Sequence, residues 1–315
     1  MAPPSSSSPP PPPSSSPSPS PDSDSDSGTP LASYGGYKFF AVSSPAPYVA
    51  HVQIRRPDKL NAFSEAMWLE FGRVFAQLSG DAEVRAVVLT GAGDRAFTAG
   101  LDVQSAAQDG ALTGGGGNGE VVVDAARRAK GLRRQIEEFQ GSIGAMEKCE
   151  KPVICAMHGI ALGLAIDIAC CADIRICASD TRFAVKEVDI GLAADIGTLA
   201  RLPKLVGSTS WVKEVCLTAR DFSAQEALAV GFVSQVHEGK AATVRAAVGL
   251  AAALAGKSPV AVQGTKELLN HARDHGVAEN LRYTQLWNSV ALQGADFPAA
   301  ILSVLKKQKP TFAKL

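Results

Sequence analysis

Residues 151–178 read KPVICAMHGIALGLAIDIACCADIRICA, and the parsing of this stretch decides the fold class. Val153 to Met157 is a short apolar run set between Pro152 and the turn pair His158-Gly159, the pattern of a strand buried on both faces. From Gly163 to Cys171 the apolar character runs on as a helix, and Ile174 to Cys177 is a second buried strand. Strands joined through a helix pair in parallel by a right-handed crossover, so the class is α/β.

Working outward, Tyr37 to Ile54 holds two short apolar runs broken by Ser-Ser-Pro-Ala-Pro, a strand, a turn and a strand. Ser64 caps an amphipathic helix whose apolar positions are Met67, Leu69, Phe71, Val74, Phe75 and Leu78, ending at Ser79-Gly80. Val84 to Thr90 is a further buried strand. The Gly91-Ala92-Gly93 that follows lacks a glycine three residues on, so the dinucleotide-binding fingerprint is incomplete. Gly110 to Gly119 reads as a flexible loop and Val121 to Glu147 as a long helix. Downstream, helical patterns occupy 223–230, 241–255, 259–272 and 277–292, with one strand near Phe232 to Val236.

Composition excludes several function classes. Residues 1–28 contain 12 Ser and 10 Pro, which supply too little apolar surface to offset chain entropy and predict a disordered tail. That tail carries Asp22, Asp24 and Asp26 of the 31 acids and none of the 31 bases, so the remainder has 28 acids and a formal charge of +3. Lys and Arg are scattered, and no basic stripe suggests nucleic acid. The apolar run Ile160–Ile168 is broken by Asp167 and falls short of the roughly 18 residues of a membrane span. The six cysteines form no C-x-x-C pair and sit mostly in apolar runs, as buried free thiols suited to a reducing compartment. The N-terminus shows neither an Arg-rich amphipathic presequence nor a secretory h-region. The chain closes Phe312-Ala313-Lys314-Leu315, a near match to the Ser-Lys-Leu peroxisomal address, which should be free rather than packed.

The five histidines are too scattered to form a cluster, and neither a G-x-S-x-G elbow nor a P-loop is present. Carboxylate placement is more informative. Asp167, Glu187 and Asp195 each stand among apolar residues, where desolvation raises a carboxyl pKa toward the range useful for moving protons at carbon. The alternative is that Asp167 and Asp195 cap helices or pair with Arg175 and Arg201. Two strand-to-helix turns, Phe97-Thr98-Ala99-Gly100-Leu101-Asp102 and His158-Gly159 through Leu164, offer backbone N–H groups that could converge on an oxyanion.

Taken with Arg56-Pro57-Asp58-Lys59-Leu60-Asn61-Ala62, Lys151-Pro152-Val153-Ile154 and Asp173-Ile174-Arg175, these turns resemble the crotonase family of enoyl-CoA hydratases and isomerases over roughly residues 37–315. Lys186-Glu187-Val188-Asp189 followed by Gly191-Leu192-Ala193-Ala194-Asp195 is similar to the signature of the Δ3,5-Δ2,4-dienoyl-CoA isomerases, where hydratases carry glycine near the position of Asp195. The resemblance implies a spiral of β-β-α units over 37–235 and a helical trimerisation region over 236–315 after a tail at 1–30, assembled as a homotrimer or homohexamer. It also implies an acyl-CoA substrate with no metal or redox cofactor, coenzyme A being part of the substrate, and peroxisomal import through a receptor for Ala313-Lys314-Leu315.

By the same resemblance, the N–H groups of Ala99 and Leu164 form the oxyanion hole, while Ala99, Gly100, Leu101, Asp102 and Val103 with Lys59, Leu60, Asn61 and Ala62 line the acyl-CoA site. Glu187 faces C2, Asp195 faces C6 and Asp167 supports them. Moving a proton from C2 to C6 of a 3,5-dienoyl thioester spans four carbon–carbon bonds, which two fixed carboxylates accomplish and one does not. Leu164 departs from the family's glycine and is expected to restrict φ and crowd the thioester. The alternatives are an enoyl-CoA hydratase using Asp167 and Glu187, which Asp195 argues against, and a non-catalytic acyl-CoA-binding member, which the retained acids argue against.

Overall fold

The computed structural model describes residues 28–108 and 124–315. The expected tail up to residue 27, the glycine stretch at 110–119 and the first residues of the helix expected from Val121 lie outside the described residues.

The fold opens with β1 (Thr29–Pro30), β2 (Phe40–Ala46) and β3 (Val49–Ile54), the last two an antiparallel hairpin with Phe40 opposite Ile54. In α1 (Glu65–Gly80), Met67, Phe71, Val74, Phe75 and Leu78 turn into the core, as their spacing requires. From here the chain repeatedly lays a strand in a large sheet, then a strand in a small one, and returns by helix. β4 (Ala86–Gly91) and β5 (Ala96–Thr98) precede α2 (Val103–Gln108) and α3 (Ala125–Lys148). β6 (Val153–Met157) and β7 (Ile160–Leu162) precede α4 (Leu164–Cys171). β8 (Ile174–Ala178) and β9 (Arg182–Ala184) precede α5 (Thr198–Leu205) and α6 (Thr209–Thr218). After β10 (Phe222–Ser223) and α7 (Ala224–Ala229), β11 (Gln235–His237) closes the large sheet.

The large sheet has the order β1-β2-β3-β4-β6-β8-β11 and is parallel from β3 onward; the small one has the order β10-β9-β7-β5. This alternation is the spiral expected from sequence. The short strands of the small sheet were not legible individually. The run Ile160–Ile168, which reads as one apolar feature, is β7 and then α4, divided at Gly163, whose φ of 55° and ψ of −117° only glycine adopts without strain.

α8 (Gly239–Ala255) lies across the large sheet with Ala247, Ala251 and Ala255 against Val88, Ile154 and Ile176, small side chains that permit close approach. The chain ends with α9 (Pro259–Ala272), α10 (Val277–Ala291) and α11 (Asp296–Leu305). The helix α11 extends the helical C-terminal region past the last segment named from the sequence, 277–292, and Pro298 sits in its first turn, where no N–H is needed. Neither α10 nor α11 has a buried residue, and Val277, Leu281, Val290, Phe297, Leu302 and Val304 are exposed. Among the described residues no single helix is long and apolar enough to cross a membrane. All six cysteines are buried and free.

One expectation is corrected at the C-terminus. Buried Arg85, stacked on Tyr48 at 4.1 Å, donates through Nη2 to Phe312 O at 2.8 Å and Ala313 O at 3.0 Å. Lys314 pairs with Glu83. The main chain of the last residues is therefore gripped, although the side chains of Ala313, Lys314 and Leu315 stay exposed.

Candidate active site

The spiral brings two turns, one after β5 and one after β7, to the same end of the small sheet. They are in contact: a β-carbon at Gly100 would lie 2.7 Å from Leu162 O and 3.4 Å from Leu164 N. Glycine is required at 100 both for this approach and for its φ of +96°. Beneath the turns is a cavity of about 130 Å³ lined by Ala99, Gly100, Leu101, Val103, Gly163, Leu164, Asp167, Glu187 and Asp195, among others.

The hydrogen-bond pattern corrects one assignment. Ala99 N–H, expected to be the first oxyanion donor, donates to Leu60 O at 2.9 Å. Gly100 N–H donates to Thr98 Oγ1 at 3.1 Å and Asp102 N–H to Phe63 O at 2.9 Å. Leu101 N–H alone in this run has no partner among the described residues, and the same holds for Leu164 N–H at the start of α4. The cavity-lining residues of the two turns whose N–H groups lack a partner among the described residues are thus Leu101 and Leu164. The feared cost of Leu164 also disappears. Leu164 takes ordinary helical geometry because Gly163 absorbs the left-handed turn, and its side chain joins the main core cluster.

Opposite the turns stand the three acids. Asp167, in the first turn of α4, is buried, and its Oδ1 accepts both Thr198 N–H (2.6 Å) and Thr198 Oγ1–H (2.8 Å). Burial pushes its pKa up to about 7, with the charge of Glu187 adding and the two Thr198 bonds opposing. Glu187 begins the short turn Glu187–Ile190; its Oε1 lies 3.4 Å from where a β-carbon at Gly163 would be, and its Oε2 is buried without a partner. Burial raises its pKa and that of Asp195 above the ordinary carboxylate range. Gln140 Nε2 donates to Asp195 O at 2.5 Å and so fixes the backbone there. Among the described residues no cation pairs with any of the three. Arg201 is engaged by Glu147, Arg175 donates to the carbonyls of Ala169, Ala172 and Phe232, and Lys186 turns away to Ala219 O at 2.7 Å. The structural alternative of pairing with Arg175 or Arg201 therefore fails for both aspartates, although Asp167 does hold the start of α5 through Thr198.

Several expected contacts fall elsewhere. Lys59, Leu60, Asn61 and Ala62 do not line this cavity. Asn61 is fully buried, accepting from Arg56 N–H and donating to Ala92 O and Ala96 O, a clamp that uses both of its amide donors within the fold. Leu60 and Asn61 hold φ of 51° and 57°, and this turn aims Leu60 O at Ala99 N–H. Asp102 pairs with Arg56 at 2.8 Å and accepts Ser105 N–H, so it caps α2 and braces the loop. The reading missed Thr198 and the apolar wall of Phe139, Ile190, Leu192 and Ile196. Val103, Ile190 and Leu192 are exposed apolar residues on one cavity, a signal visible only once the fold brings them together.

The histidines are not all scattered. His271 and His275 stack with ring centroids 3.7 Å apart, and Glu279 lies within 4.8 Å of their nitrogens. The rings are parallel, 5° apart, and none of the three residues lines the cavity.

Comparison with known proteins gives the family. A family model described as enoyl-CoA hydratase/isomerase matches residues 46–314. The chain is 44% identical over 282 residues to a Homo sapiens protein named Delta(3,5)-Delta(2,4)-dienoyl-CoA isomerase, mitochondrial, covering 89% of this chain and 84% of that one. It is 39% identical over 267 residues to the Arabidopsis thaliana protein of the same name with the designation peroxisomal, covering 85% and 93%. The crystal structure of an enoyl-CoA hydratase from Bacillus anthracis superposes with a TM-score of 0.77 at 25% identity, covering 87% of this chain and 99% of that one.

Proposed function

The chain belongs to the enoyl-CoA hydratase/isomerase family, and from that premise we propose that it isomerises 3,5-dienoyl-CoA to 2,4-dienoyl-CoA in the breakdown of unsaturated fatty acids. The observation that carries this reading is the meeting of Glu187 and Asp195, with which no described cation pairs, in a cavity also lined by Leu101 and Leu164, whose N–H groups have no partner among the described residues.

The thioester oxygen sits between Leu101 N–H and Leu164 N–H. Glu187, beside Gly163, takes a proton from C2, and the electron pair delocalises through the diene onto that oxygen. Asp195 delivers a proton at C6. Burial favours the neutral form of both carboxyls and raises the pKa of each, with backbone N–H groups opposing the rise in both cases. Asp167, held by Thr198, fixes the start of α5 behind the pair. Phe139, Ile190 and Leu192 offer the apolar surface an acyl chain needs. No cofactor enters this scheme beyond the coenzyme A of the substrate. A hydratase needs one acid and one base around one water and leaves Asp195 without a task.

The exposed apolar side chains of α10 and α11 are the surface through which we expect a homotrimer, or a dimer of trimers, to form. A peroxisomal location rests on Ala313-Lys314-Leu315 and on the name of the Arabidopsis relative; the name of the Homo sapiens relative places that protein in mitochondria. A receptor reading the C-terminus has to compete with Arg85 for its carbonyls.

The test is incubation of purified protein with a 3,5-dienoyl-CoA and, separately, a 2-enoyl-CoA. Growth of the 2,4-diene absorbance with no mass change is the expected result. Hydration of the 2-enoyl-CoA as the main activity would favour the hydratase reading, and silence on both would favour an acyl-CoA-binding role.

A further inference from the structure

Asp195 stands between two cavities. Beyond the reaction cavity, on the other side of the segment from Ala194 to Gly197, is a second space of about 440 Å³. It is lined by Gln140, Glu147, Arg201, Lys204, Arg273 and Asp274, and its walls include exposed Leu199 and Ala200. Asp195 and Ile196 are the two residues that border both spaces. The Asp195 carboxylate accepts no hydrogen bond from a described side chain, and its oxygens are not among the sealed, partnerless polar atoms. Of these two spaces Glu187 borders the reaction cavity and not the second, and its Oε2 is sealed. The second space is strongly polar: Glu147 bridges Arg201 and Arg273, and Lys204 pairs with Asp274, so it holds water readily.

The chemistry gives this asymmetry a consequence. In each turnover the C2–H bond breaks, its electron pair stays in the dienolate and Glu187 gains the proton. The C6–H bond then forms with the proton of Asp195, which is left as carboxylate. No net proton is consumed, yet the two acids end with their states exchanged and both must reset.

We propose that Asp195 is reloaded from water in the second cavity, while Glu187 releases its proton only through the reaction cavity after product leaves. This rests on the isomerase reading above. It makes the cluster around Glu147 and Arg201 part of a proton path for Asp195, and it makes the proton delivered at C6 a solvent proton and not the one taken from C2.

The experiment uses the full chain turning over 3,5-dienoyl-CoA labelled with deuterium at C2 in ordinary water, and unlabelled substrate in D2O, with the product analysed at low conversion by mass and by NMR position. The proposal expects about one solvent deuteron at C6 per product formed in D2O, and none of the C2 label at C6 in water. An Ala200→Trp variant, which fills the second space from an exposed helix position, should lower kcat with KM unchanged or shift the C6 hydrogen toward substrate origin. Transfer of the C2 label to C6 in the wild type overturns the proposal and leaves the isomerase reading intact, as does an Ala200→Trp protein identical to wild type in both rate and labelling. Absence of any 2,4-diene overturns the isomerase reading and this proposal with it.

Discussion

The two walls of the reaction cavity are built on different principles. The wall of turns presents main-chain N–H groups, Leu101 and Leu164, whose direction is set by glycines beside them, Gly100 at φ +96° and Gly163 at φ +55°. The opposite wall presents the side chains of Asp167, Glu187 and Asp195, whose chemistry is set by burial and by the lack of a cation among the described residues. A wall of backbone donors tolerates a change of side chain as long as its glycines remain; a wall of carboxyls has no such freedom. The family's glycine can therefore become Leu164 here without loss of the donor.

The largest expected effect breaks the acidic wall. Glu187→Gln keeps the shape and removes the base, and kcat should fall by about 10²–10⁴ with acyl-CoA binding retained, measured by diene absorbance and by calorimetry. Next comes the turn wall. Gly100→Ala brings a β-carbon to 2.7 Å from Leu162 O and beside Leu164 N. It should cost about 10²–10³ in kcat, the worth of one displaced donor, with circular dichroism reporting whether the fold survives.

Asp167 supplies a smaller effect with a definite sign. Its pKa of about 7 in the folded chain exceeds the ordinary aspartate value, so its contribution to stability is full below about pH 4 and is lost as pH rises through 7. Asp167→Asn, whose amide oxygen can still accept from Thr198, should weaken the loss of stability between pH 5 and pH 8, by up to about 2–3 kcal/mol, read from melting curves at the two pH values. Parallel melting curves in the two proteins would show that Asp167 is not held neutral by burial. The smallest effect sharpens the contrast: Leu164→Gly should alter kcat by only about threefold, because the donor is backbone and Gly163 already makes the turn. A gain of orders of magnitude would mean that Leu164 displaces the loop after all.

Much of this was legible in the linear sequence because it depends on local pattern. The strand Val153–Met157, the helix ending at Cys171 and the parallel crossovers follow from apolar runs punctuated by Pro and Gly. The three acids stand out because charge among apolar residues is costly unless it has a use. What escaped depends on which strand lies beside which. Ala99 and Leu101 flank Gly100 in one turn, and only the approach of Leu60 O, aimed by two left-handed residues, decides that Ala99 N–H is taken while Leu101 N–H has no partner among the described residues. Asn61 looks like a ligand contact until its partners Ala92 O and Ala96 O, more than thirty residues away, are in place. Thr198 and the grip of Arg85 on Phe312 and Ala313 are likewise long-range contacts with no local signature.

The central claim is that two separate carboxyls serve the two ends of the diene, and Asp195→Asn tests it most directly. The kinetics of the variant on 3,5-dienoyl-CoA, compared with wild type at saturating substrate, should show kcat reduced by at least about 10²-fold with KM little changed. An unchanged rate of 2,4-diene formation in Asp195→Asn would contradict the account and leave Asp195 a structural residue.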